Sequence, residues 1–171
     1  TLPSNVALCV NPDETYCKVK AADGYTYYMA EALLDKVLGK LAIDDEPAYE
    51  VLETYKGKDL EYKAYEPLFA CAGEAAAKQK KKAHFVTCDN YVTMSDGTGI
   101  VHIAPAFGED DSRIGRNYEL PFVQFVDGQG NLTKETKQIL WSSQIWTKKA
   151  SSSMLRNSSM IIHTAGDVTH H

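Results

Sequence analysis

No apolar run in the sequence approaches the roughly 18 residues that a membrane-spanning helix requires, and the hydrophobic share, 44%, is that of an ordinary globular protein. Cysteine is sparse and unpaired in sequence: Cys9, Cys17, Cys71 and Cys88 form no CxxC. That spacing argues against a zinc ribbon or a disulfide framework and for buried thiols in a reducing, cytoplasmic setting. A GxSxG nucleophile motif is missing, which removes the usual serine-hydrolase reading. No signal-peptide pattern opens the chain, and there is no internal repeat. Positive charge is not in excess either, since 18 basic residues stand against 23 acidic ones for a net charge of −5. Broad electrostatic capture of nucleic acid is therefore disfavoured, although a grip on the tip of an RNA is compatible with that balance.

What is present fits one domain over residues 1–171, long enough to bury roughly 70% of its unfolded surface. Val6 to Val10 and Tyr16 to Lys20, separated by Asn11-Pro12-Asp13, read as a hairpin. Tyr25 to Ala30 runs into a short helix ending at Gly39, and strands are expected at Tyr49–Tyr55, Leu60–Tyr65, His84–Val92 and Phe122–Val126. The alanine-rich stretch from Cys71 ends in the basic run KQKKK, which reads either as a solvated loop or frayed helix or as a contact to RNA phosphate. A helix near Trp141–Trp146 and a strand at Met160–His163 complete the expectation. The most informative stretch is Asp96 to Asp111, DGTGIVHIAPAFGEDD, where a β-branched run, Ile100 to Ile103, is stopped by Pro105 and followed by a Gly-containing acidic turn. Asp110 or Asp111 is placed to cap a helix from Ser112 to Tyr118.

GTGIVHIAPAFGEDD resembles the signature of the inserted editing domain of isoleucyl-tRNA synthetase, and the His at position 102 favours that enzyme over its valyl and leucyl relatives. TLPSNVALCVNP at Thr1 to Pro12, YEPLF at Tyr65 to Phe69, CDNYVTMSDGTG at Cys88 to Gly99 and IG..Y.LP from Ile114 to Pro121 add to the likeness. It covers roughly residues 1–131, with THH at the end of the chain again similar. LCVNPDETYCKVK looks more like the eukaryotic cytosolic branch. The resemblance implies an α+β fold on a twisted, barrel-like β-sheet core with a few peripheral helices. It also implies hydrolysis of valine misattached to the tRNA for isoleucine, the correction that a pocket distinguishing one methylene by only about 1–3 kcal/mol needs; this synthetase is the standard illustration of that limit. The related alternatives are a silent tRNA-binding module of the same fold, and the editing domain of a valyl or leucyl enzyme.

Residue by residue, the likeness assigns Asp111 to the α-ammonium of the misattached amino acid, where a charge-assisted hydrogen bond is short and directional. Sequence alone also allows it to be a plain helix cap. His102 is implied as a pocket wall placing the ester or the terminal adenosine, against the simpler reading of a structural strand histidine; water activation by His102 or by the substrate's ribose hydroxyl stays open. Gly97, Thr98 and Gly99 offer backbone contacts to substrate or form only a tight turn, and Asn5 lies near the site or holds a local turn. Thr1 matches the last threonine of the family's WTTTPWTLP strand, whose earlier threonines are missing, so the chain reads as a fragment of a longer protein. The HIGH-like and KMSKS-like motifs of amino-acid activation are missing too. The domain is therefore expected to need no cofactor, with ATP and Mg confined to the full synthetase. Its partners are expected to be the tRNA 3′ end and the rest of the synthetase chain, without a membrane and as a monomer.

Overall fold

A computed structural model describes residues 2–42, 47–67 and 69–136 of the chain. Its strands are β1 (Ala7–Val10), β2 (Thr15–Ala21), β3 (Thr26–Ala30), β4 (Tyr49–Lys56), β5 (Phe85–Cys88) and β6 (Ile100–Ile103), and its α-helices α1 (Leu34–Leu38), α2 (Ala70–Lys78) and α3 (Glu109–Asn117). The strands form two three-stranded sheets, ordered β5-β1-β6 and β3-β2-β4. This is a mixed α/β architecture, and the described strands do not close into the barrel expected from sequence. Several strands are only four residues long, and β4 lies at an open sheet edge with most of its side chains exposed. Such an edge, carrying Glu50, Glu53 and Lys56, is of the charged kind that resists further pairing.

The described residues divide into two compact units, one of residues 2–8, 66–67, 69–85 and 102–136, the other of residues 9–42, 47–65 and 86–101. In the second unit, β2 pairs antiparallel with β3 (Cys17 opposite Met29) and with β4 (Cys17 opposite Thr54). Alternation along β2 buries Cys17, Val19 and Ala21 on one face, and Met29, Leu34 and Leu38 complete that cluster. Leu34 and Leu38 stand one helical turn apart, so a single face of α1 supplies both. Gly57 is required by close approach: a Cβ there would lie 1.9 Å from the Asn11 carbonyl oxygen.

In the first unit, Ala72 and Ala76 form the buried face of α2 at i, i+4 spacing. α3 approaches Pro105 closely at Gly115, where a Cβ would come within 2.9 Å of the Pro105 ring. Both helices end alike. Lys80 (φ 55°) and Glu119 (φ 53°) adopt the left-handed conformation just past α2 and α3. The following amides, Lys81 and Leu120, bond back to Ala76 and Gly115 at 3.1 and 2.8 Å, and Lys80 and Glu119 bond to Ala77 and Arg116. Each is a Schellman closure with a side-chain-bearing residue where glycine is usual.

Several sequence expectations change. The two strands flanking Asn11-Pro12-Asp13 exist but belong to different sheets, so they form no hairpin. Leu60–Tyr65 is not a strand, because the chain turns through a 3-10 helix at Gly57–Leu60 and Tyr62 takes φ 64°. Phe122–Val126 contributes only an isolated bridge, Val126 with Leu132. Cys9 and Cys17 are buried thiols as expected, whereas Cys71 and Cys88 are half-buried. The expected elements at Trp141–Trp146 and Met160–His163 lie outside the described residues. Among the described residues no helix is long and apolar enough to cross a membrane.

Candidate functional site

Asp111 is not the cap of α3. The helix begins at Glu109 with Gly108 as its N-cap, which puts Asp111 in the third helical position. Its Oδ2 instead accepts the Ala104 amide at 2.9 Å, just past the end of β6. That bond fixes the carboxylate across the turn made by Pro105 to Gly108 and leaves Oδ1 without a hydrogen bond among the described residues. A carboxylate with one oxygen anchored and the other available is a directional acceptor for a cation.

His102, on β6, is half-buried, and its ring is held below the usual histidine pKa by burial, with the Asp111 charge pulling the other way. Its imidazole is therefore neutral at pH 7, the form that can accept a proton or orient a polar group. Asn5 is 5% exposed and precedes Val6, whose amide donates to the Ile103 carbonyl at 3.0 Å. This bond runs the segment bearing Asn5 beside the segment bearing His102. Asn5 is itself pinned: its Nδ2 donates to the Ala7 carbonyl at 2.8 Å, and its carbonyl lies 3.1 Å from His84 Nε2. His84 gave no sign of this role in the sequence, because a histidine at the head of an apolar run carries no pattern for a backbone contact 79 residues away.

Asn5, His102 and Asp111 thus belong to one unit, whereas Gly97, Thr98 and Gly99 belong to the other. Gly97 and Gly99 both take positive φ, 71° and 74°, as a tight turn demands. The Thr98 carbonyl accepts the Ala30 amide at 2.8 Å, and the Gly99 carbonyl accepts the Tyr16 hydroxyl at 2.6 Å. Both carbonyls are therefore engaged within the chain. The Thr98 side chain is 3% exposed, and its hydroxyl makes no hydrogen bond among the described residues. Tyr16, buried and pushed up to about 12 chiefly by desolvation, ties this turn to the Asn11 amide as well. Thr1 lies outside the described residues. Among the described residues no group of three or more His, Cys, Asp or Glu gathers as a metal site.

No protein-family model matches the chain. Isoleucine–tRNA ligase of Clostridium acetobutylicum is 41% identical over 155 residues, which is 91% of this chain and 13% of that protein. The enzyme named likewise from Fervidobacterium pennivorans is 37% identical over 99% of the chain and 17% of its own length, and that of the archaeon Pyrococcus abyssi 39% identical over 78% of the chain. The chain spans about one seventh of the length of these relatives. They are bacterial and archaeal, so the eukaryotic character read from residues 8–20 finds no support. Among solved structures, that of GlLeuRS-CP1 matches with a TM-score of 0.52 at 18% identity, covering 68% of this chain and 40% of that one, which is a likeness of fold. Over most of its length, then, the chain is similar in sequence to one segment of bacterial and archaeal isoleucine–tRNA ligases and in fold to GlLeuRS-CP1.

Proposed function

We propose that this chain is the editing module of an isoleucine–tRNA ligase, an aminoacyl-tRNA deacylase that removes valine ester-linked to the tRNA for isoleucine. The observation that carries the reading is the anchored Asp111 carboxylate, whose Oδ2 is held by the Ala104 amide while Oδ1 is available to the valyl ammonium. His102, neutral at pH 7, lines the pocket and orients the ester or the terminal adenosine, and Asn5 completes that side. Only the likeness to the editing domain assigns Gly97, Thr98, Gly99 and Thr1 to substrate contacts. A water molecule attacks the ester carbonyl, and its proton passes either to His102, which returns it to the leaving ribose oxygen, or to the neighbouring ribose hydroxyl, which gives its own proton to that oxygen; the tetrahedral intermediate collapses by breaking the ester C–O bond, yielding free valine and uncharged tRNA. Hydrolysis consumes only water, so ATP and Mg belong to the synthetic site of the complete enzyme. The module works in the cytoplasm as part of one synthetase chain, monomeric, and engages the tRNA through its 3′ end.

Paired deacylation assays on Val-tRNA and Ile-tRNA, with a complete synthetase carrying this segment, test the reading. The valyl ester should be cleaved far faster than the isoleucyl ester, because overpacking a rigid pocket by one methylene costs about 1–3 kcal/mol and misplaces the reacting carbonyl as well. His102→Ala should shrink that ratio. Equal rates on the two esters for the unaltered enzyme would reject editing while leaving the fold untouched.

A further inference from the structure

The basic run at the end of α2 is exposed, as a solvated reading expects, yet two of its side chains are tied to the backbone beyond α3. Gln79 bonds twice to the backbone of Phe122, its Nε2 donating to the carbonyl at 2.8 Å and its Oε1 accepting the amide at 3.0 Å. Lys81 Nζ donates to the Leu120 carbonyl at 3.3 Å. These bonds clamp the end of α2 to the segment leaving α3. Lys81, Ser112, Arg116, Glu119, Leu120 and Phe122 then line a cleft of about 350 Å³.

Three properties of the cleft point to one kind of occupant. Among the described residues neither Lys81 nor Arg116 takes part in an ion pair, whereas the neighbouring Arg113 is paired with Asp110 at 2.9 Å. Cations in a last helical turn often serve only the helix dipole. Arg116, however, turns back to the Ser112 hydroxyl at 2.9 Å, and Lys81 reaches a carbonyl beyond the other helix, so neither is spent on its own helix end. Phe122 is 58% exposed with its backbone held at both polar atoms by Gln79, which presents a ring to solvent on a fixed support. Two cations in no ion pair among the described residues, beside a presented aromatic ring, match a phosphate joined to a base, and a volume near the lower end of ligand-sized cavities suits one nucleotide rather than a duplex. Glu119, at the cleft edge in a conformation glycine would adopt more easily, is an acceptor for a ribose 2′-hydroxyl.

We infer that this cleft binds one nucleotide of a single-stranded RNA, with its phosphate between Lys81 and Arg116 and its base on the Phe122 ring. The cleft gives the substrate a hold away from the esterified end, so that affinity does not rest on the aminoacyl group alone. That the RNA is a tRNA rests on the deacylase reading; the recognition chemistry does not.

The test titrates a complete synthetase carrying this segment with a labelled single-stranded RNA pentamer over a range of salt concentrations, with the same sequence as duplex RNA and as DNA, and follows valyl-adenosine ester hydrolysis on the same samples. Arg116→Gln and Lys81→Gln should each weaken pentamer binding at least about fivefold and lower the salt slope by about 0.7. Phe122→Ala should weaken it at least about fivefold with the slope unchanged, since stacking is not ionic. Glu119→Gln should narrow the preference for RNA over DNA. Binding indifferent to all four substitutions, equal affinity for the duplex, or displacement by inorganic phosphate as effective as by the pentamer would overturn the inference. Substitution-sensitive binding without ester hydrolysis would uphold the cleft and count against the deacylase reading. Hydrolysis with substitution-indifferent binding would do the reverse.

Discussion

Asp111 shows how one hydrogen bond separates two roles that sequence leaves equal. As a helix cap its carboxylate would face the first-turn amides of α3; bonded to the Ala104 amide, it is held at the end of β6 with one oxygen available. On the deacylase reading, Asp111→Ala in a complete synthetase carrying this segment should therefore lower Val-tRNA deacylation at least about tenfold, the scale of one charge-assisted contact, while aminoacylation is spared. Deacylation that survives the substitution would remove Asp111 from the site. Gly57 offers a purely structural test at the same scale. Gly57→Ala drives a methyl group into the Asn11 carbonyl, which is backbone and cannot swing aside, so the urea midpoint should fall by the equivalent of about 1–3 kcal/mol or more. A midpoint within error of the unaltered protein would show that the chain relaxes there freely.

At the scale of elements, the ends of α2 and α3 are both closed by residues that pay for a left-handed conformation, Lys80 and Glu119. Glycine adopts it without a Cβ penalty, so Lys80→Gly and Glu119→Gly should each stabilise the protein by up to about 1 kcal/mol, read from urea unfolding. Destabilisation by either would mean that its side chain contributes more to folding than the backbone strain costs. These helix ends also explain why the KQKKK run was ambiguous in sequence. Its composition resembles a solvated tail, and Gln79 and Lys81, by reaching Phe122 and Leu120 some 40 residues away, tie it to the fold. Helix α2 itself was half legible: alanines favour a helix, but its short side chains give weak amphipathic contrast.

For the whole molecule, His84 and His102 both have pKa values lowered chiefly by burial. The unfolded chain then binds protons near pH 6.5 that the folded chain refuses, so stability is full above that pH and is lost as pH falls from it toward the folded values. The urea midpoint should decline between about pH 7 and pH 5, before carboxylates contribute, and His84→Gln with His102→Gln should flatten the decline. A midpoint constant over that range in the unaltered protein would place both rings in water. Local pattern alone determined much here. The β-branched run at Ile100–Ile103, the alternation of Cys17, Val19 and Ala21, and the GTG turn are written in neighbouring residues, and the motif from Gly97 to Asp111 carried the likeness to isoleucine–tRNA ligases. Tertiary structure alone decided which strands share a sheet, which atom holds Asp111, what pins Asn5 and where Lys81 points. Each depends on a partner distant in sequence or on which of several equivalent polar groups a side chain meets, and nothing in local periodicity encodes that choice.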